Sequence, residues 1–309
     1  VAALGRYRGR AQVIAGGTDL LGKMKDNILP RYPEALINVK TIPGLDFIRE
    51  ENGGLLIGAL ATLEDIAADS RIRNGYTALA EAAGRTASPH LRAMGTIAGN
   101  LCQDIRCWYY RNPDNRFPCL RKGGGRCYAI EGDNRYHSIF GGSVEGGCYA
   151  VHPSDTAPAL IALDARVETT KRSVRVEDFF RVDVEKTTVL EFDEIVTGIR
   201  LPASDDGARG SFIKFALRKS IDFPIVNCAA VIARAEGKVT AARICLNAVH
   251  VKPRRAVEAE EVLAGKEITE TSAEDAGIAA LSGAAPMEGN RYMVQIARTL
   301  VKRSILACG

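Results

Sequence analysis

The residues with the clearest potential for chemistry in this chain are its cysteines. The sequence contains eight of them, and five fall within residues 102–148 without any C-x-x-C pair of the kind that marks zinc ribbons. Clustered thiols in a chain long enough to bury its own core favour metal or redox chemistry over a disulfide framework. Spacing alone leaves zinc, an iron–sulfur cluster and buried free thiols open. The five residues are Cys102, Cys107, Cys119, Cys127 and Cys148.

Two glycine-bearing segments could hold a phosphate group. Residues 15–19 read Ala-Gly-Gly-Thr-Asp and stand between a β-type run and a helix signal. Glycines there let backbone amides approach an anion, and the start of a helix favours negative charge. Residues 95–100 read Gly-Thr-Ile-Ala-Gly-Asn. Either segment alone is also compatible with a tight turn between a strand and a helix.

The sequence lacks complete motifs for several other kinds of chemistry. Residues 17–23 match the start of a nucleoside triphosphate loop, but Met24 stands where that loop needs a Ser or Thr hydroxyl for magnesium. A Rossmann G-x-G-x-x-G is absent, and the four histidines show no paired-ligand spacing. No nucleophile motif occurs. We therefore predict no catalytic side chain in this chain itself.

Composition indicates an ordinary globular protein. Of the 309 residues, 46% are hydrophobic and 25% are charged, and the net charge of +4 is too weak to indicate a nucleic-acid partner. No apolar run approaches the ~18 residues that a membrane span needs. No secretion signal follows Val1, so we expect a reducing, cytoplasmic location. Because the chain begins with Val rather than Met, we expect residues upstream of it.

Periodicity places the glycine segments among alternating strands and helices. Strands are predicted at residues 12–15, 36–39 and 55–58, and helices at residues 18–25, 62–68 and 77–84, with Thr62 and Asp65 as a capping box. Residues 1 to about 100 are therefore predicted to form a compact α/β unit. From residue 102 to 149 the periodicity disappears. Such an irregular insertion requires something other than a hydrophobic core to order it.

Regular structure is predicted again from residue 154 onward. Ser154 and Asp155 begin a helix that runs to residue 163, followed by strands at residues 165–170, 173–176 and 194–201. A polar stretch at residues 203–210 separates these from a C-terminal α+β unit. Its predicted strands are residues 212–218, 226–233 and 239–251, and its predicted helices are residues 254–263, 273–284 and 290–306.

Three motifs in a fixed order carry a family resemblance. Residues 15–20, residues 87–100 and the helix beginning at Ser154-Asp155 resemble the FAD-binding subunit of the xanthine dehydrogenase and carbon monoxide dehydrogenase family. The likeness continues through residues 199–202, residues 212–214 and the last helix, and thus covers nearly the whole chain. It implies an α+β fold. A two-part FAD-binding domain of the vanillyl-alcohol-oxidase type would occupy residues 1–202, with the insertion at about 102–150, and an antiparallel sheet with helices would occupy residues 203–309.

The resemblance also implies the residues that bind the flavin. Both glycine segments would wrap the FAD pyrophosphate, and Asp155 and Lys214 would contact the ribityl or ring region, although Lys214 could also be an exposed strand lysine. Ala98 stands where the family usually has a glycine, and Thr86 stands where some relatives place an aromatic residue. The residues implied for FAD are Ala15, Gly16, Gly17, Thr18, Asp19, Thr96, Gly99, Asn100, Asp155 and Lys214.

The insertion is similar to that of the 4-hydroxybenzoyl-CoA reductase β subunit, which carries a 4Fe-4S cluster. The likeness rests on residues 100–107 and on the eight-residue step from Cys119 to Cys127. Cys102 lies close in sequence to the second glycine segment and is not included among the implied cluster ligands. It is the alternative to Cys148, because the loop that contains Cys148 matches the resembled insertion less well in length. The implied cluster ligands are Cys107, Cys119, Cys127 and Cys148, with Arg106, Arg121, Lys122 and Arg126 as basic neighbours that offset negative charge.

The implied function is that of an electron-transfer subunit carrying FAD and 4Fe-4S in a molybdenum-dependent oxidoreductase. The family would supply a small 2Fe-2S subunit and a large molybdopterin subunit as partners, in a dimer of heterotrimers, with an external carrier such as ferredoxin. Two alternatives remain open. One is an ordinary flavin subunit without a cluster, and the other is a zinc-stapled module whose basic loop at residues 107–135 binds a partner or RNA.

Overall fold

The computed structural model describes residues 1–145, 147–205 and 207–309. The part before the insertion contains short helices and four strands. In chain order these are α1 (Ala2–Tyr7), β1 (Ala11–Ile14), α2 (Leu20–Lys25), β2 (Ala35–Asn38), β3 (Ile48–Glu51), β4 (Gly54–Gly58), α3 (Leu63–Ala68), α4 (Ser70–Gly75), α5 (Thr77–Gly84), α6 (Pro89–Met94) and α7 (Ile97–Cys102).

The part after the insertion contains the longer strands and the longest helix. Its elements are α8 (Thr156–Ala162), β5 (Arg166–Thr169), β6 (Ser173–Arg175), α9 (Val176–Phe179), β7 (Val196–Leu201), β8 (Ala208–Phe215), β9 (Val226–Ala235), β10 (Lys238–Asn247), β11 (Arg254–Arg255), α10 (Val257–Leu263), α11 (Glu270–Ala279) and α12 (Tyr292–Leu306).

The strands form three sheets in the described part of the chain. β1 and β2 pair in parallel, five strands pair antiparallel in the order β3-β4-β7-β5-β6, and four pair antiparallel in the order β11-β10-β9-β8. Helix α12 packs on β8 and β9 and buries Met293, Leu300 and Ile305, as its periodicity predicts, while Ile296 is partly buried. The α+β fold class is therefore confirmed.

The first hundred residues do not form a self-contained unit, which corrects the sequence-based expectation. Strand β4 is buried at all five positions and needs a partner on each side. β3 supplies one partner, and the other is β7, where Leu55 pairs with Leu201 and Ile57 with Ile199. The five-stranded sheet thus joins segments on either side of the insertion.

Short capped helices position the second glycine segment. The Thr62 hydroxyl accepts from the Asp65 amide at 3.1 Å, so one half of the predicted capping box forms at the start of α3. The Asp65 carboxylate accepts from the Thr62 hydroxyl at 2.6 Å instead of from the Thr62 amide. Ser88 caps α6, whose first residue is Pro89, and Thr96 caps α7 by accepting from the Gly99 amide. Together with Asp69, which caps α4, these side-chain caps determine where the chain turns.

The insertion is irregular, as predicted. Its described residues contain only two single-turn 3₁₀ helices, Pro113–Asn115 and Leu120–Lys122. Arg106 and Val151 exchange backbone hydrogen bonds of 2.8 and 3.0 Å at its two ends, and Asn115 donates to the Leu29 carbonyl at 3.2 Å. The described helices include none with the length and apolar character to cross a membrane.

Candidate functional site

The two glycine segments are neighbours in space. The first segment connects β1 to α2, and Gly16 packs so closely on the turn after α6 that a Cβ atom there would overlap the carbonyl oxygen of Met94. The hydroxyl oxygen of Thr18 lies 3.8 Å from the position that a Cβ atom on Gly95 would take. The structure therefore brings together the two segments that the sequence analysis assigned to one ligand.

The first segment offers free backbone donors. Among the described residues, no partner accepts a hydrogen bond from the amides of Gly16, Gly17, Thr18 or Asp19. Gly17 has a φ of +73°, a left-handed conformation that glycine adopts without strain. Unpaired amides at a strand-to-helix turn form a binding site for an anion. This segment fits a pyrophosphate group.

The second segment has its donors occupied. The amides of Ile97 and Ala98 donate to the carbonyls of Ala61 and Ala59, and the Gly99 amide donates to the Thr96 hydroxyl. The Asn100 side chain accepts from the Thr156 hydroxyl at 2.6 Å and from Ser154, so it secures the start of α8. This segment contributes shape to the site more than free hydrogen bonds.

A groove of about 430 Å³ runs beside these segments. This volume is typical of small-molecule sites. Its lining also includes residues within 185–196, which the sequence analysis did not associate with a ligand. The lining residues include Ala15, Lys23, Thr96, Gly99, Cys102, Asp104, Thr187, Leu190 and Phe192.

The Asp19 side chain binds the insertion. Its carboxylate accepts from Arg106 at 3.0 Å, from Arg111 at 2.8 Å and from the Asp104 amide at 3.0 Å. Burial raises the pKa of Asp19, but the charges of Arg111 and Arg106 outweigh it and hold that pKa below its ordinary value. Asp19 therefore joins the first glycine segment to the insertion.

Asp104 extends this connection toward the cysteines. Its carboxylate lies 3.1 Å from the Lys23 ammonium and accepts from the Tyr110 hydroxyl at 2.7 Å. Burial opposes ionisation of Asp104, but Lys23 and Arg111 lower its pKa well below the usual range. We call the connected side chains the ion network; its members are Asp19, Lys23, Asp104, Arg106, Tyr110 and Arg111.

Asp155 and Lys214 form a buried ion pair with 2.7 Å between the carboxylate and the ammonium. The side chains are 3% and 8% exposed, so Lys214 is not an exposed strand lysine. The other carboxylate oxygen accepts from the Asn227 amide at 2.7 Å. Burial raises the pKa of Asp155, and Lys214 opposes that effect. Sequence reasoning missed Asn227 because a single asparagine within a strand carries no motif.

Four cysteines line one narrow cavity. Cys119 and Cys148 are buried, and Cys107 and Cys127 are partly buried. Cys102 is exposed and lines the groove instead. Within the described residues, no group of three or more His, Cys, Asp or Glu side chains is arranged to hold a single metal ion. The structure thus groups the four thiols that the sequence analysis grouped and separates the fifth.

Polar groups surround the cavity. Arg121 donates through Nε to the Cys148 sulfur at 3.2 Å, and the His137 Nε2 atom lies 3.2 Å from the Cys107 sulfur. Burial raises the pKa of Cys107 to about 12 and also raises that of Cys119. These thiols therefore stay protonated near neutral pH unless a metal displaces the proton.

Two of the four basic neighbours are engaged elsewhere. Arg106 pairs with Asp19 in the ion network, and Arg126 is exposed and lies 3.8 Å from Glu131. Only Arg121 among the four lines the cavity, and Lys122 follows it in the chain. Of the four predicted basic neighbours, Arg121 and Lys122 therefore remain, and they are adjacent in the chain.

Two family models cover almost the entire chain. The FAD binding domain in molybdopterin dehydrogenase matches residues 1–204, and the CO dehydrogenase flavoprotein C-terminal domain matches residues 211–308. This chain belongs to the molybdopterin dehydrogenase flavoprotein family. The predicted resemblance to FAD-binding subunits of the xanthine dehydrogenase and carbon monoxide dehydrogenase type is confirmed, and the protein is a flavoprotein subunit of an oxidoreductase.

Individual members of the flavoprotein family show the same relationship. The chain is 38% identical over 263 residues to the aldehyde oxidoreductase FAD-binding subunit PaoB of Escherichia coli (strain K12), covering 82% of this chain and 79% of that protein. It is 28% identical over 311 residues to the carbon monoxide dehydrogenase medium chain of Hydrogenophaga pseudoflava, with coverage of 99% and 92%. A solved structure of carbon monoxide dehydrogenase from that organism, lacking the Mo-pyranopterin moiety, superimposes with a TM-score of 0.78 at 27% identity, covering 99% and 92% of the two chains.

The ion network yields a prediction for this flavoprotein. We expect Asp104→Asn to weaken FAD binding and to lower stability by about 3 kcal/mol, because it leaves the Lys23 ammonium largely buried without its closest carboxylate. The pKa of Asp104 is lower in the folded protein than in the unfolded chain, so its stabilising contribution is present above about pH 4 and is lost as the pH falls through the folded-state pKa. The difference in melting temperature between wild type and Asp104→Asn should therefore be the same at pH 7 and at pH 5.5.

Asp133→Asn is the matched control for Asp104→Asn. Asp133 lies in the same insertion but pairs with Arg135, whose side chain is 58% exposed, so we expect little change in melting temperature or FAD content. Equal effects of the two substitutions would mean that the ion network does not stabilise the first glycine segment.

Proposed function

We propose that this chain is the FAD- and 4Fe-4S-carrying electron-transfer subunit of a molybdenum-dependent oxidoreductase of the 4-hydroxybenzoyl-CoA reductase type. The observation that carries the proposal is the meeting of Cys107, Cys119, Cys127 and Cys148 at one cavity inside an otherwise irregular insertion. When bound, FAD supplies two-electron chemistry and a 4Fe-4S cluster supplies one-electron transfer.

The flavin site is proposed to use each predicted residue in a distinct way. The free amides of residues 16–19 bind the pyrophosphate, and Gly16 keeps the two glycine segments in contact. Ala15, Thr96 and Gly99 line the groove, and Asn100 holds the start of α8. The Asp19 side chain pairs with Arg106 and so holds the first glycine segment against the insertion. The buried pair of Asp155 and Lys214 supports the ribityl and ring region of the flavin.

The cysteine cavity is proposed to bind the cluster through four thiolates. Free thiols contribute little order to a loop that lacks its own strands, whereas thiolate coordination would fix the chain at four points. Arg121 already donates to one of these sulfurs, which suits a negatively charged centre. Cys102 is exposed and lines the groove, so it is not proposed as a ligand.

The ion network is proposed to hold the two cofactor sites at a fixed separation. Tyr110 lines the cysteine cavity, and its hydroxyl donates to Asp104. The Asp104 amide in turn donates to Asp19 in the first glycine segment. Three residues thus link the cavity wall to the flavin segment through two hydrogen bonds. A fixed separation is what electron transfer between two centres in one chain requires.

Partners are proposed from the relatives, whose names describe medium chains and FAD-binding subunits. The chain would assemble with a small 2Fe-2S subunit and a large molybdopterin subunit that carries the substrate chemistry, as a dimer of heterotrimers. An external carrier such as ferredoxin would exchange electrons with it. The FAD-binding part is proposed to end near residue 202, with residues 203–309 as the second domain.

A visible absorption spectrum of the purified chain tests the proposal. We expect flavin bands on a broad brown shoulder, both of which dithionite bleaches. Flavin bands without the shoulder would support the alternative of an ordinary flavin subunit. A protein without visible absorption that contains zinc would support the interaction module and overturn the proposal.

A further inference from the structure

Arg121 is a buried cation with incomplete pairing at the cysteine cavity. The residue is 8% exposed. Its Nε atom donates to the Cys148 sulfur at 3.2 Å, and Nη1 reaches the Val184 carbonyl at 3.4 Å. Within the described part of the chain, its buried Nη2 atom has no hydrogen-bond partner.

Lys122 places a second positive charge beside the first. Its Nζ atom is buried without a hydrogen-bond partner among the described residues, and it lies 5.4 Å from the centre of the Tyr110 ring. Tyr110 itself lines the cysteine cavity. Neither side chain forms a salt bridge among the described residues, although the charge of Arg121 lowers the pKa of Asp183. A buried cation without a close anionic partner is unfavourable, so the two residues indicate that negative charge belongs at this cavity.

We propose that Arg121, supported by Lys122, raises the reduction potential of the centre that the four cysteines bind. The inference depends on the proposed function, because it takes that centre to be a 4Fe-4S cluster. Uptake of one electron adds one negative charge and breaks no bond. A hydrogen bond to a ligand sulfur and two nearby positive charges stabilise the more negative form, and so move the potential upward.

A purely structural role for Arg121 predicts a different result. Its bond to the Val184 carbonyl connects the insertion to the segment that precedes β7, so loss of that bond alone would change stability. It would leave the midpoint potential of an intact cluster unchanged. The potential is therefore the measurement that separates the two roles.

The test is a redox titration of the full chain, using dithionite as the one-electron reductant with mediators, and followed by electron paramagnetic resonance. We expect a more negative midpoint potential in Arg121→Gln, a smaller shift of the same sign in Lys122→Met, and an intermediate value in Arg121→Lys, which keeps the charge. Arg126→Gln is the matched control because Arg126 is exposed, and its potential should equal that of the unaltered protein.

Iron and sulfide content separates failure of the inference from failure of the proposed function. A wild-type chain without iron or sulfide would overturn both. An intact cluster whose potential is the same in wild type, Arg121→Gln and Lys122→Met would overturn only the inference. If Arg121→Gln does not fold or retain iron, the sign of the shift in Lys122→Met decides the question, and no shift there overturns the inference.

Discussion

Gly16→Ala is expected to abolish FAD binding. The added methyl group would overlap the Met94 carbonyl, which belongs to backbone and cannot rotate away as a side chain would. The two glycine segments would have to separate, which would displace the free amides of the first segment relative to the second. We expect flavin content per chain to fall from about one to near zero, corresponding to at least a ~100-fold weaker affinity, or about 3 kcal/mol. The flavin absorbance of the purified protein after dialysis measures the flavin content per chain.

Gly22→Ala is the matched control for this loss. Gly22 lies in α2, seven residues from the start of the same segment, and a Cβ atom there would meet nothing within 4 Å. Alanine also favours a helix over glycine, so the variant should keep its FAD and melt no earlier than the unaltered protein. Full flavin content in Gly16→Ala would show that the contact between the segments is not needed for binding.

Loss of the iron centre is the second large effect, expected in Cys119→Ser and Cys127→Ser. Serine keeps the size of the side chain but replaces the thiolate ligand, so a cluster that needs four thiolates loses one attachment. Iron should fall from about four atoms per chain to near zero. FAD should remain, because the ion network and the free amides of the first glycine segment include neither residue. Iron analysis and flavin absorbance on the same sample measure both.

Cys102→Ser is the control within the cysteine set. Its side chain is exposed and lines the groove instead of the cavity, so iron and FAD should both be retained. Cys148→Ser should behave as Cys119→Ser does, because Cys148 lines the cavity. An intact cluster in Cys148→Ser together with its loss in Cys102→Ser would contradict the ligand set and make Cys102 the fourth ligand.

Local sequence signals predicted much of the secondary structure that supports the site. The helix predicted at residues 77–84 is Thr77–Gly84, and the cap at Thr62 forms as expected. The predicted strand at residues 12–15 is β1 with a difference of one residue at each end. Such features depend on side chains within a few residues of each other, so the sequence contains their cause.

Long-range pairing could not be predicted in this way. The contact between β4 and β7 joins residues 140 to 146 positions apart, and alternation of apolar residues does not identify a partner strand. The ion pair of Lys214 with Asp155 and the capture of Asp19 by Arg106 and Arg111 are similar cases. A single charged residue in a sequence carries no signal for the charge that it meets.

The cysteines lie between these two cases. Their clustering indicated metal or redox chemistry, but spacing alone left zinc, iron–sulfur and free thiols open, and the choice of four came from a family resemblance. The structure adds that Cys107, Cys119, Cys127 and Cys148 share a cavity and that Arg121 donates into it. That arrangement depends on how the insertion folds back on itself between Arg106 and Val151.

The measurement that tests the central claim most directly is the content of iron, acid-labile sulfide, zinc and FAD per chain in protein purified without oxygen. We predict about one FAD, about four iron atoms and about four sulfides per chain, with no stoichiometric zinc. One FAD without iron or sulfide would contradict the cluster, and one zinc without iron or FAD would contradict the function as a whole.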